Sequence, residues 1–155
     1  MSSFKIRLME HPDAVLVARL LTMYLSKTHY ANRTLSEKKL PLTIFNTIED
    51  KDRLGLIVED SEGVARGAFL GGVFESGFFE GLDALEHGFA LDPSMRKHTR
   101  DATKAIIIAF EEWAKSKGAV EVRYTVTSGI PGKTLEQIFD ETGYGRCGYC
   151  VRKEL

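Results

Sequence analysis

The sequence predicts an α/β fold with a mixed β-sheet, formed by a single domain over residues 1–155. Two observations support this prediction. Hydrophobic periodicity gives the element order β-α-α-β-β-β-α-β-α-β, in which three consecutive strands lead into a strand–helix–strand unit. The strand–helix–strand step is expected to be parallel and right-handed, and a sheet of this kind carries helices on both faces. A chain of 155 residues is long enough for one such domain.

Two helices follow an N-terminal strand. Residues 4–9 alternate between polar and apolar side chains and predict a strand. Pro12 stands where a first helical turn tolerates proline, and apolar residues at helical spacing continue to Lys27. A second helix is predicted over residues 35–48, and Pro41 inside it predicts a kink or a division into two short helices.

A β-hairpin and a further strand come next. Residues 54–59 and 64–74 are typical of strands and flank a turn that ends in a glycine. Another strand is predicted over residues 82–91. Gly71 and Gly72, within the second strand of the hairpin, indicate a bulge or the close approach of a ligand.

The last part of the chain alternates helices and strands. A helix is predicted over residues 103–117, and Gly118 follows it as a C-terminal cap. A strand over residues 119–126, a short helix over residues 133–141 and a final strand over residues 144–153 complete the order.

Composition and charge exclude several classes of protein. The sequence is 43% hydrophobic and 28% charged, as in ordinary soluble globular proteins, and its net charge of -1 argues against broad nucleic-acid binding. A run of about 18 apolar residues, which a membrane helix needs, is absent, and the N-terminus lacks a signal pattern, so a cytoplasmic protein is expected. Cys147 and Cys150 have no second pair to complete a zinc site, so no metal is predicted.

Cationic side chains stand at the start of the longest predicted helix. Arg96, Lys97, Arg100 and Lys104 are accompanied there by a single acid, Asp101. Cations near a helix N-terminus oppose the helix dipole and cost about 0.3–1 kcal/mol each. An external anion would remove this conflict, and a phosphate is the natural candidate because the free N–H groups of the first turn bind it.

Three motifs carry a resemblance to a known family. The first motif, residues 91–96, consists of an apolar residue, any residue, a proline, any two residues and an arginine. The second, residues 111–115, lies in the helix that follows. The third is the glycine–aromatic pair of Gly143 and Tyr144 near the end of the chain. Together with the element order over nearly the whole chain, these motifs resemble the GNAT superfamily of acyl-CoA-dependent N-acyltransferases. The resemblance implies the GNAT-like fold and a cofactor loop between Pro93 and the helix that follows.

The cofactor loop departs from the family's pattern. Two small residues usually let the backbone approach the pyrophosphate, whereas this chain has Thr99 and Asp101 there, or Arg100 and Ala102 when the loop is counted one residue later. Either side-chain cations take over part of the contact, or the cofactor is bound weakly or not at all.

The residue that protonates the leaving thiolate in the family is also replaced. A tyrosine often stands four residues before the late glycine, and this chain has Phe139 there. Tyr144, Tyr149 and Tyr124 are alternatives between which spacing does not choose. For the general base, the resemblance implies Glu86 or His87, and strand alternation is expected to place these two on opposite faces of the sheet.

The resemblance implies binding of acetyl-CoA or free CoA. The backbone of Phe89, Ala90 and Leu91 is expected to contact the thioester and the pantetheine arm. The phosphates are expected to meet the basic segment and the start of the helix, which comprise Arg96, Lys97, His98, Thr99, Arg100, Asp101, Ala102 and Thr103.

The implied function is direct transfer of the acyl group to an amine of a small molecule or protein. An alternative is a catalytically degenerate GNAT-like protein that binds and modulates a protein partner, as some phage-encoded accessory proteins do. A third is a sensor that binds a CoA thioester without using it. Dimerisation is common in the family, and no feature of the sequence decides it.

Overall fold

The computed structural model describes residues 4–125, 133–148 and 152–153. The elements in chain order are β1 (Phe4–Leu8), α1 (Ala14–Leu25), α2 (Lys39–Glu49), β2 (Arg53–Asp60), β3 (Ala65–Glu75), β4 (Leu82–Leu91), α3 (Thr99–Ser116), β5 (Ala119–Arg123) and α4 (Lys133–Glu141). Short 3₁₀ turns over His11–Asp13 and Pro93–Met95 precede α1 and α3. A helix with the length and apolar character of a membrane span is absent from these residues.

The five strands form one mixed sheet in the order β1-β2-β3-β4-β5. The first four pair with their neighbours in antiparallel fashion, and β4 pairs with β5 in parallel. The predicted mixed sheet and the predicted parallel strand–helix–strand step are therefore confirmed.

Helices cover both faces of the sheet. Within β2, Leu56 and Val58 join the apolar core beneath α3, whereas Ile57 joins the core beneath α1 and α2. The two cores meet the sheet from opposite sides because side chains alternate along a strand. Phe69 of β3 and Phe110 of α3 are fully buried with ring centroids 4.8 Å apart, and each stabilises the α3 layer by about 1.5–3 kcal/mol.

Two helices begin at different residues from those predicted. Helix α2 begins at Lys39, so Pro41 lies in its first turn and the predicted kink is wrong. Proline is tolerated there because a first-turn N–H has no intrahelical acceptor. Helix α3 begins at Thr99, four residues before the predicted start, because the 3₁₀ turn over Pro93–Met95 leads almost directly into it.

The C-terminal strands are shorter than predicted. Strand β5 ends at Arg123, and Val126 lies outside the described residues. The final strand predicted over residues 144–153 is not formed within the described residues 144–148, and residues 149–151 lie outside the description. Gly145 and Gly148 weaken strand formation in this segment because glycine has no side chain to pack and loses more backbone entropy.

Candidate active site

Strands β4 and β5 are paired only at one end. Their register joins Leu82 with Ala119 and ends where Leu85 pairs with Arg123, although β4 continues to Leu91. Residues 86–91 of β4 therefore have no β5 partner among the described residues. Within the part of the chain that the structure describes, the backbone groups on this edge of β4 have no strand partner.

A cavity of about 420 Å³ opens at this gap. Leu21 of α1 lines it from one face of the sheet, and Ile106 of α3 lines it from the other. Glu86, His87 and the residues that follow β5 lie between these two layers. The cavity is therefore lined from both faces of the sheet.

A β-bulge lies at the centre of the cavity wall. Gly71 of β3 pairs with Glu86 and Leu70 pairs with Gly88, so His87 is an extra residue in β4. Glu86 and His87 both line the cavity, and they face opposite sides of the sheet, as expected. Glu86 pairs with Gly71, which faces Phe110 of α3, whereas the His87 ring contacts that of Phe74 on the side of α1 and α2.

The glycine opposite this bulge is required by packing. A Cβ atom on Gly71 would lie 2.7 Å from Cε2 of Phe110, well inside van der Waals contact. Of the two interpretations of Gly71 offered by the sequence, the bulge is confirmed. The group that approaches the backbone closely is the Phe110 ring of α3.

Glu86 is a base poised near neutral pH. Its carboxyl forms no hydrogen bond or ion pair with the described residues, and burial raises its pKa to about 7. The neighbouring His87 has a lowered pKa because of burial and the positive charge of Arg53, and its ring lies 5.2 Å from that of Phe74. Glu86 therefore changes between acid and carboxylate near neutral pH.

Tyr124 presents a further polar group to the cavity. Its hydroxyl is buried without a hydrogen-bond partner among the described residues, and its ring contacts Phe139 at a centroid distance of 5.1 Å. Burial, and then the neighbouring Tyr144 and Glu86, hold the pKa of Tyr124 well above its usual range. The hydroxyl consequently remains a hydrogen-bond donor at any physiological pH.

Tyr144 lies behind Tyr124, outside the cavity lining. The two rings are 5.5 Å apart, and the Tyr144 hydroxyl donates to Oε2 of Glu111 at 3.5 Å. Burial raises the pKa of Tyr144 to about 12. The structure thus brings Tyr144 to the edge of the site and Tyr124 into it.

The basic segment meets the N-terminus of α3. The first intrahelical hydrogen bond runs from the N–H of Ala102 to the carbonyl of His98 at 2.9 Å, so the N–H groups of residues 99–101 precede it. Thr103, one turn further, is buried and lines the cavity. The first turn of α3 therefore connects the cationic surface with the cavity.

Two cations of this segment lie close to the carboxylate of Glu141, and two others form no ion pair with the described residues. Arg100 forms an ion pair with Glu141 of α4, and Lys104 Nζ lies 3.6 Å from Oε2 of the same carboxylate. Arg96 and Lys97 are exposed and form no ion pair with the described residues. The sequence did not reveal Glu141, because it lies 41 residues from Arg100 and no local spacing joins the two.

The backbone segment predicted to contact the thioester runs along the free edge of β4. Phe89 lines the cavity, Ala90 is buried against the α1 layer, and Leu91 packs over Gly67. Asp92 then accepts a hydrogen bond from the N–H of Ser94 at 2.8 Å, which holds the turn that leads to α3. Strand edge, turn and helix start form one continuous surface.

No protein-family model and no curated protein matches the sequence. Solved structures do match over almost the whole chain. AAC(6')-Iy in complex with the bisubstrate analog CoA-S-monomethyl-acetylneamine is 17% identical, with a TM-score of 0.73 and 99% of both chains covered. Glucosamine-6-phosphate N-acetyltransferase from Arabidopsis thaliana is 13% identical, with a TM-score of 0.73 and the same coverage.

An acetyltransferase of Trypanosoma brucei is 19% identical, with a TM-score of 0.71, 98% of this chain covered and 99% of that chain. At these identities the likeness is one of fold. The chain therefore has the fold of the GNAT acetyltransferases, which confirms the resemblance seen in its sequence.

Proposed function

We propose that this protein is an acyl-CoA-dependent N-acyltransferase that transfers an acetyl group directly to an amine. The observation that carries the proposal is the position of Glu86 in a cavity that is lined from both faces of the sheet. A thioester can enter from the α3 side and an amine from the α1 and α2 side, and the two meet at a base whose pKa is about 7. The CoA analog bound by the neighbour AAC(6')-Iy supports this assignment.

The cofactor's pyrophosphate fits the start of α3. The N–H groups of residues 99–101 and the positive end of the helix dipole attract an anion, and the exposed Arg96 and Lys97 add charge. The pantetheine arm would follow the free edge of β4 past Phe89, where unpaired backbone groups can bind its amides. This route leads to the cavity beside Thr103.

The chemistry then requires several proton transfers. The acceptor binds as an ammonium ion and first gives one proton to Glu86, which passes it to solvent. Glu86, again a carboxylate, then takes a second proton from the nitrogen as the neutral amine attacks the thioester carbonyl carbon. The new C–N bond forms, the C–S bond breaks, and the Tyr124 hydroxyl donates its proton to the departing thiolate. Glu86 then loses its second proton to solvent, the Tyr124 oxygen regains a proton from solvent, and the products are the amide and the free thiol of CoA.

Thiol release and mass spectrometry of the acylated amine test the proposal. Glu86→Gln keeps the shape of the side chain, so we expect turnover to fall by about 10²–10⁴-fold while CoA binding by calorimetry is unchanged. Glu112→Gln, an exposed carboxylate on the far part of α3, is the matched control and should keep full turnover. Equal turnover in wild type and Glu86→Gln would remove Glu86 from the mechanism.

A second candidate function is favoured by the pair between Arg100 and Glu141. Glu141 neutralises the charge of Arg100, which the phosphates of the cofactor would otherwise contact. In addition, Thr99 and Asp101 stand at the positions where the family has small residues. A protein that has lost the cofactor would act by binding a protein partner. Calorimetric titration with acetyl-CoA separates the two, because the partner-binding protein gives no heat of binding at millimolar ligand.

A further inference from the structure

The part of the cavity that faces α1 and α2 has an apolar lining. It consists of Leu21, Tyr24, Leu25, Tyr30, Leu40 and Thr43. These side chains offer aromatic and aliphatic surface, a threonine hydroxyl and the tyrosine hydroxyls. Such a surface stabilises a ligand by about 25 cal/mol for each square ångström of apolar area that it removes from water.

The charges in the whole cavity are few. Among the described residues that line it, Glu86 is the one carboxylate, and no lysine or arginine is present. His87 also lines it, with a lowered pKa that favours the neutral ring near pH 7. The guanidinium groups of Arg33 and Arg152 lie 5.7 and 5.6 Å from the centroid of the Tyr30 ring, but neither side chain lines the cavity.

This balance selects the charge of the acceptor. One ammonium group can be matched by the carboxylate of Glu86, which then shifts toward its ionised form. A second ammonium group would lose its hydration without a partner, and a phosphate group would meet the carboxylate and no cation. The volume of about 420 Å³ also has to hold the thioester end of the cofactor, so the acceptor has to be small.

We infer that the acceptor is a small primary amine with a single positive charge and an apolar, preferably aromatic, body. The inference rests on the proposed function and specifies its acceptor. It separates this protein from an enzyme that acts on polyamines, amino sugars or phosphorylated sugars. Phenylethylamine and hexylamine represent the proposed class, and spermidine and glucosamine 6-phosphate represent the excluded ones.

A competition assay with acetyl-CoA and these four amines measures the preference directly. We expect kcat/KM for phenylethylamine to exceed that for spermidine and for glucosamine 6-phosphate by at least about tenfold, which corresponds to 1.4 kcal/mol. Phenylalanine, which adds a carboxylate, is included because Arg33 and Arg152 lie against Tyr30. A preference for spermidine, for the phosphosugar or for phenylalanine would overturn the inference while leaving the proposed function intact.

A variant pair tests the physical reason. Thr43 is half-buried in the lining, and Thr43→Glu adds a second carboxylate there. We expect this change to raise the spermidine to phenylethylamine ratio by about tenfold. Leu42→Glu adds the same charge at a 56% exposed position of α2 outside the lining, and it should leave the ratio unchanged. An equal effect of both variants would contradict the inference.

Binding without turnover distinguishes the two proposals. Saturation-transfer NMR of phenylethylamine, with phenylethanol as its uncharged analogue, should show binding of the amine that weakens in Glu86→Gln. If the amine binds in this way and no transfer to any amine occurs, the acceptor class stands and the proposed reaction fails. If neither binding nor transfer occurs with phenylethylamine, the acceptor class is wrong.

Discussion

Glu86 and Tyr124 are the first residues beyond the last pair of the β4–β5 register, Leu85 with Arg123, and both face the same cavity. The two chain segments stop pairing at this point, so a carboxyl group and a hydroxyl group stand on either side of the gap. The Glu86 charge contributes to the raised pKa of Tyr124. This relationship places a partly buried carboxyl group and a buried hydroxyl group in the lining of one cavity.

The rate of the proposed reaction should depend on the ionisation of Glu86. Because burial raises its pKa to about 7 and only the carboxylate accepts a proton, kcat/KM should rise with pH and level off above that value. The measurement is a pH–rate profile of thiol release with phenylethylamine, from pH 5.5 to pH 8.5. The same apparent pKa in the residual activity of Glu86→Gln would assign the titration to another group.

The free energy of unfolding should fall as pH rises, whereas kcat/KM should increase. Between pH 4.5, the ordinary pKa, and about 7, the unfolded chain ionises Glu86 while the folded chain keeps it protonated. Since the folded state then binds more protons, the free energy of unfolding falls as pH rises through this window. Urea unfolding of wild type and Glu86→Gln should show a smaller fall in the variant. Parallel curves for the two proteins would be inconsistent with a raised pKa.

Removal of the Tyr124 hydroxyl should affect catalysis more than stability. Tyr124→Phe removes a buried hydroxyl that has no hydrogen-bond partner, so the free energy of unfolding should stay equal or rise slightly. Turnover should fall by about 10²-fold because the leaving thiolate loses its donor. Tyr144→Phe, which removes the contact with Glu111, should have a smaller effect on turnover. The reverse ranking would assign the donor role to Tyr144.

Release of Arg100 from Glu141 should strengthen the phosphate site. Glu141→Gln frees Arg100 and Lys104, and we expect the affinity for CoA at low salt to rise a few-fold with a steeper salt dependence. Stability should change little, because both partners of the pair are exposed. The control is Glu136→Gln. Glu136 lies on the same helix as Glu141, and its removal breaks the 2.6 Å ion pair with Arg146. Calorimetry at two salt concentrations would detect the difference, and equal affinities would place the phosphates elsewhere.

The bulge should depend on the glycine that faces α3. Gly71→Ala places a Cβ atom 2.7 Å from the Phe110 ring, and the overlap should destabilise the fold by about 1–3 kcal/mol. Gly77→Ala is the control, since a Cβ atom there meets nothing within 4 Å. Urea denaturation compares the two. A neutral effect of Gly71→Ala would show that β3 can shift away from α3 at no cost.

Local patterns predicted most of the fold because they act over a few residues. Alternation in residues 82–91 fixes β4, and Gly118, with a φ of 80°, ends α3 in a conformation that glycine adopts without strain. The mixed sheet follows from the order of the elements. The cationic segment is likewise visible in the sequence, because the conflict between Arg96, Lys97 and the helix dipole is local.

Tertiary packing decided the composition of the site. The sequence named Glu86 and His87, but the bulge at His87 and the cavity that both residues line are set by the packing of distant elements. The partner of Arg100, and the position of Tyr124 in the cavity lining with Tyr144 behind it, likewise depend on how α4 and β5 pack on distant elements. Periodicity describes a residue's own helix or strand, whereas these contacts join residues far apart in the chain. The sequence alone therefore determined the helices, the strands and their layers, and the tertiary structure determined which side chains come together in the cavity between the layers.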